Sequence, residues 1–85
     1  MQLADAYPNP ADNSTLISYS LPNEAKVSLR LYDILGNEIA VVFDGIRSSG
    51  YYQEKVNTEN LSGGIYYYKF SADNFVETKS FVVVR

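Results

Sequence analysis

Val27-Ser28-Leu29-Arg30-Leu31-Tyr32-Asp33-Ile34-Leu35-Gly36-Asn37 is the stretch on which the fold turns. Its first six residues alternate apolar and polar side chains, the period-two signature of a strand with one face buried. The next five carry turn chemistry. Gly36 supplies a position for positive φ, and Asp33 supplies a short side-chain acceptor for the backbone of the turn. A helix across Ile34–Phe43 is the competing reading, and Gly36-Asn37 argues against it. The stretch is therefore a strand and a hairpin loop, with a return strand expected over Glu38 to Phe43 and closed by Asp44-Gly45.

The same grammar extends in both directions. Upstream, Thr15, Ile17, Tyr19 and Leu21 alternate with Leu16, Ser18 and Ser20, and Pro22-Asn23 ends the run. Downstream, Ser48-Ser49-Gly50 opens a strand over Tyr51 to Asn57, and Asn60-Leu61-Ser62-Gly63-Gly64 forms a loop with one apolar anchor. Ile65 to Ala72 places Tyr66, Tyr68 and Phe70 on one face and Ile65, Tyr67 and Lys69 on the other. Asp73-Asn74 reverses the chain into a last strand, Phe75 to Arg85, and a short edge segment is expected near Leu3 to Tyr7. About seven short strands in 85 residues describe an all-β antiparallel β-sandwich, with a closed eight-stranded barrel as the structural alternative.

Composition narrows the function classes. The chain holds eight Tyr and four Phe but no Cys and no His, so disulfides, thiolate metal sites and the usual base–nucleophile pairs cannot be built. Seven basic residues stand against ten acidic ones, a net charge of −3, and the basic residues are scattered, so a phosphate-backbone partner is not expected. The acids fall in turns or on solvent-facing positions, and a domain this small has little room for a substrate pocket of roughly 300 Å³. No enzyme, no small-molecule substrate and no cofactor are expected. Asp5, Asn9, Asp12 and Asn13 are oxygen ligands near one another, but their spacing matches no calcium loop, and Asn and Asp form turns beside proline. No metal is expected. Tyr19, Tyr66 and Tyr68 read as core, whereas Tyr32, Tyr52 and Tyr67 fall on the opposite faces and form the candidate surface aromatic patch.

Two stretches stand apart from the strand pattern. Ala6-Tyr7-Pro8-Asn9-Pro10-Ala11-Asp12-Asn13 carries two prolines that fix φ and remove two donors, so it cannot be a fully paired central strand. It reads as a stiff connector into an edge strand. Lys79-Ser80-Phe81-Val82-Val83-Val84-Arg85 is a closing strand with basic ends, which either protects an edge or presents a strand for recognition.

Taken in order, "YPNPADNSTLISYSLP", "VSLRLYDILGNEIAVVFDG", "LSGGIYYYKF" and "KSFVVVR" resemble the type A C-terminal sorting domain of type IX secretion cargo, from Tyr7 to Arg85. The opening block also resembles the immunoglobulin-like domain of flagellar hook-capping proteins. Three signature blocks carry the resemblance: Pro8, Asn9 and Pro10; Gly64 and Tyr66; and Lys79, Val82 and Arg85. The chain departs from it at Ala11-Asp12, where many relatives have an aromatic residue followed by Asn and Pro, and in lacking a second basic residue beside Lys79. The resemblance implies an immunoglobulin-like, non-catalytic address label of a secreted protein from the Bacteroidetes and related bacteria. Its partners would be a covalently linked N-terminal passenger, the outer-membrane secretion machinery and a sortase-like peptidase. The route implied is periplasmic transit followed by release or attachment at the cell surface. Residues 1–85 are accordingly expected to be one domain of a larger secreted protein. An accessory β-sandwich binding carbohydrate or protein, through Tyr32, Tyr52 and Tyr67, is the alternative.

Overall fold

A computed structural model describes residues 1–85 as seven strands and no helix. They are β1 (Gln2–Leu3), β2 (Ser14–Leu21), β3 (Ala25–Tyr32), β4 (Glu38–Arg47), β5 (Gly50–Asn57), β6 (Gly64–Ala72) and β7 (Phe75–Val83). Every strand ladder is antiparallel. One sheet has the order β1-β2-β5 and the other β4-β3-β6-β7. The sandwich expected from period-two patterning is the fold observed.

The two sheets bury the residues that the alternation assigns to the inside. β2 contributes Ile17, Tyr19 and Leu21, β3 contributes Val27, Leu29 and Leu31, and β6 contributes Tyr66, Tyr68 and Phe70. Phe81 and Val83 complete the core from β7. Large rings fill much of this thin interior. Tyr19 lies 4.8 Å from Phe70 between ring centroids, and Tyr68 lies 6.1 Å from Phe81. Aromatic pairs at such distances add about 0.5–1.5 kcal/mol each beyond simple burial.

The hairpin after β3 forms as its residues dictate. The Asp33 carboxylate accepts from the Leu35 and Asn37 amides, both at 2.9 Å, and Gly36 adopts φ +88°. Three boundaries differ from the sequence expectation. β4 does not close at Asp44-Gly45 but continues to Arg47, because β3 offers ladder partners back to Ala25. Asp44 also accepts from the Arg30 side chain across that ladder at 3.1 Å. The last strand ends at Val83 rather than Arg85, since Val84 bonds to Ala11 instead of to β6. The N-terminal edge segment is broken. After Gln2–Leu3 the Ala4 amide still donates to Ser18 O of β2, and the segment then leaves the strand until Tyr7, which exchanges both backbone bonds with Leu16.

These connections give the sandwich two poles, along a molecule 38 × 22 × 16 Å in extent. One pole gathers residues 8–13, the Asp33–Asn37 loop, the loop from Thr58 to Gly63, and Val82–Arg85. The other gathers Pro22–Glu24, Ser48-Ser49, Asp73-Asn74 and the first residues of β1, where Gln2 pairs with Ser20. The chain thus begins at the pole opposite the one where it ends.

Candidate functional site

The three sequence blocks meet at the C-terminal pole. Asn9 Oδ1 accepts from the Val82 amide at 2.9 Å. The Ala11 amide donates to Val82 O at 2.7 Å, and Val84 N donates back to Ala11 O at 3.0 Å, making a short parallel bridge between residues more than 70 apart. Pro8 O accepts from the hydroxyl of Thr15, a fully buried side chain at the start of β2. Pro10, whose peptide with Asn9 is cis like that between Tyr7 and Pro8, delivers Ala11 to this bridge. The proline-rich segment is therefore a strap that runs from the β2 edge across to β7. Proline suits this path, because it needs few amide donors and a restricted backbone.

Arg85 closes the strap. Its guanidinium donates to Asp12 O at 2.6 Å, to Val84 O at 3.0 Å and to Thr58 O. Thr58, buried beneath, donates its hydroxyl to Asp12 O and its amide to Asn13 O. One planar five-donor side chain thus joins the end of β7, the strap and the β5–β6 loop, a task the single ammonium of a lysine could not reproduce in geometry.

The second block lies against the same strand. Gly64 pairs with Val83 at φ +152°, a backbone that residues with a Cβ rarely adopt. Tyr66 stacks on Phe81 at 6.0 Å and donates its hydroxyl to Ser62 O at 2.7 Å, fixing the loop above it. Lys79 lies farther along β7, where it meets the N-terminal segment. Its ammonium contacts Asp5 at 3.0 Å, and that carboxylate holds the lysine above its ordinary pKa. Beside it, Tyr68 donates to Ala4 O at 3.0 Å.

The three tyrosines of the expected aromatic patch do not come together. Tyr32 and Tyr67 are register partners on the outer face of the larger sheet, where they line an open groove of about 340 Å³ with Lys69 and Thr78. Tyr52 belongs to the other sheet and faces inward, stacked on Tyr19 at 5.6 Å. The buried Val56 fixes the alternation of β5, so Tyr52 shares its face and the outward tyrosine is Tyr51. Two adjacent tyrosines left that choice open to a one-residue shift. Glu54, one of the acids expected to face solvent, turns inward with them. It accepts from Tyr19 at 2.7 Å and from Arg47 at 2.8 Å, while the Arg47 guanidinium lies 3.8 Å from the Phe43 ring centre and 4.4 Å from that of Tyr52. Burial, then Glu54, pushes the Tyr19 pKa well above its ordinary value.

The model of one protein family, the secretion system C-terminal sorting domain, matches residues 5–84. The chain belongs to this family. No curated protein and no solved structure gives a significant match. As a type IX sorting domain, the chain is a C-terminal secretion signal, and its family is a sorting signal rather than a family of catalytic domains. Family membership carries a linked N-terminal passenger, interaction with the type IX machinery and export to the cell surface or extracellular space. The match covers all three blocks except Arg85 itself, whose part in the pole rests on its bonds alone. Sequence reading also left unconnected the two ends of the chain, which no local spacing could join.

Proposed function

We propose that the C-terminal pole, with Pro8, Asn9, Pro10, Gly64, Tyr66, Val82 and Arg85 at its centre and Lys79 on its flank, is the surface by which the outer-membrane machinery reads this sorting domain. The observation that carries the proposal is the joining of the first and third blocks through Asn9–Val82, Ala11–Val84 and Arg85–Asp12, with the second block set against β7 through Gly64–Val83 and Tyr66–Phe81. Residues 1–85 act as one folded label on a larger secreted protein. The passenger attaches at the far pole, where β1 begins, which leaves the read surface unobstructed whatever the passenger is. After periplasmic transit and passage of the outer membrane, a sortase-like peptidase removes the label, and the passenger is released or attached at the surface.

The test is a fluorescent protein with a signal peptide, fused ahead of residues 1–85 and expressed in a type IX-competent host. The parent fusion is expected outside the cell, and the Asn9→Ala/Arg85→Ala double variant in the periplasm. Export of both equally would remove the site assignment; export of neither would remove the sorting role from this chain. Deleting Lys79–Arg85 outright is a poorer test, because it takes the buried Phe81 and Val83 with it. Carbohydrate or protein adhesion has one observation in its favour, the Tyr32–Tyr67 pair beside Lys69. Glycan binding by the isolated domain that is lost with Tyr67→Ala would favour that reading.

A further inference from the structure

The Asp33–Asn37 loop belongs to none of the three blocks, yet it places Ile34 and Leu35 at 63% and 83% exposure. Single exposed aliphatics are ordinary on protein surfaces. This loop differs in being held rigidly while it displays two in succession. Its Asp33 carboxylate accepts from two amides and from Asn37 Nδ2, and the Asp33 and Gly36 amides each make a 3.0 Å backbone bond within the loop. Those bonds hold the backbone in one shape, and in that shape both side chains stand in water.

The surroundings continue the pattern. The loop leaves β3 at Tyr32, whose partner on β6 is Tyr67, and β6 begins at that same end, against the end of β7. There Ile65 and Val82 are cross-strand partners with exposed side chains, followed by the exposed Val84. Ile34, Leu35, Ile65, Tyr67, Val82 and Val84 thus gather at one end of the outer face. Val82 is also a member of the third block, so this apolar area is continuous with the strap-and-Arg85 pole. Lys69, which makes no ion pair, shares the groove with Tyr67 and Ile34 and gives the area a cationic rim.

We infer that Ile34 and Leu35 are a second anchor of the recognition pole, seating in an apolar socket with a carboxylate at its rim on the outer-membrane machinery. This rests on the reading of the pole given above. Aliphatic anchors that fill a partner's pocket carry a disproportionate share of binding energy, and a loop already rigid loses little entropy on docking. The loop is then a specificity element separate from the blocks, acting through shape and apolar contact, while Lys69 orients the approach.

The experiment uses the same fusion in the same host with three sets of substitutions. Ile34→Ser/Leu35→Ser is expected to leave the Tm of the domain unchanged and to lower the exported fraction on the order of tenfold. Lys69→Glu is expected to lower it several-fold. Ile46→Ser/Val76→Ser, which removes two exposed aliphatics at the opposite pole, is expected to export like the parent. Parental export of the Ile34→Ser/Leu35→Ser fusion would overturn the inference, as would an equal loss in the opposite-pole control. Where the parent is exported and Asn9→Ala/Arg85→Ala is retained, such a result sinks this inference alone. A parent fusion that is not exported sinks the functional reading and this inference together.

Discussion

The two poles of this sandwich are secured by different physics. At the C-terminal pole the ties run from side chains to backbone carbonyls and amides, as in Asn9 to Val82, Arg85 to Asp12 and Thr15 to Pro8. At the opposite pole fewer such bonds occur, Tyr52 to Ser48 O and the Lys26 amide to Asp73, and an electrostatic and aromatic stack stands beside them, with Arg47 between Phe43 and Tyr52 and its charge met by Glu54. Backbone-directed bonds fix the path of a chain, so the first pole has one shape wherever its residues are kept. A side-chain stack fixes the closeness of two sheets rather than the path of a loop. Under the function proposed above, the pole offered for recognition is the one closed by the strap and Arg85, and the passenger joins at the pole that holds the stack.

That contrast breaks most visibly at Arg47. Replacing it with Ala removes two cation–π contacts and strands a half-buried Glu54, at a cost of about 2–3 kcal/mol. Denaturant unfolding should register the loss, while export of a fusion that remains folded should stay near parental. Arg85→Ala should cost less, about 1–2 kcal/mol, because its guanidinium is partly exposed and part of its bonding is replaced by water. Its effect should be local, with faster amide exchange at Ala11 and Val84 and no change at Lys26 near the opposite pole. Arg85→Lys should recover the charge but not the exchange protection, since an ammonium cannot hold the same three carbonyls in one plane.

A pH titration sharpens the comparison with smaller effects. Backbone bonds from Asn37 hold the Asp33 carboxyl below its ordinary 3.8. Its folded pKa being the lower one, the stability it lends is present above that ordinary value and fades as pH falls below it. Acid should therefore loosen the loop at the C-terminal pole, read as broadening of the Gly36 and Asn37 amide signals. Tyr19 behaves oppositely. Its folded pKa is raised by burial, so its contribution is complete below the ordinary tyrosine value of 10.0 and is lost as pH rises beyond it. Tyr68, raised by burial, and Lys79, raised by Asp5, lose their contributions in the same alkaline direction. Tm should fall above about pH 10, while the Tyr19–Glu54 contact itself, whose hydroxyl holds its proton well beyond that pH, persists in the folded protein.

Much of the fold was legible because β-sheet burial has a period of two. The faces of β2, β3 and β6 follow directly from Ile17, Leu29 and Tyr68 and their neighbours at i±2. Where adjacent residues are alike, as at Tyr51-Tyr52, the period alone cannot choose a face, and Val56 decides it only once the sheet exists. Asp44-Gly45 resembles a turn by type, but a turn also needs the partner strand to end there, and β3 does not. The strap was legible as a stiff segment but not as half of a site, because its partner lies more than 70 residues away. Only the ordered set of blocks linked its two halves, and only the ladder of bonds from Asn9 to Arg85 shows them touching.

The most direct test of the account sets stability against export in two variants of the same fusion. Arg47→Ala should be the less stable protein yet be exported, and Arg85→Ala the more stable yet be held in the periplasm. If export instead follows stability alone, with Arg47→Ala retained and Arg85→Ala secreted, then the C-terminal pole is merely a well-tied end of a sandwich and the signal lies elsewhere.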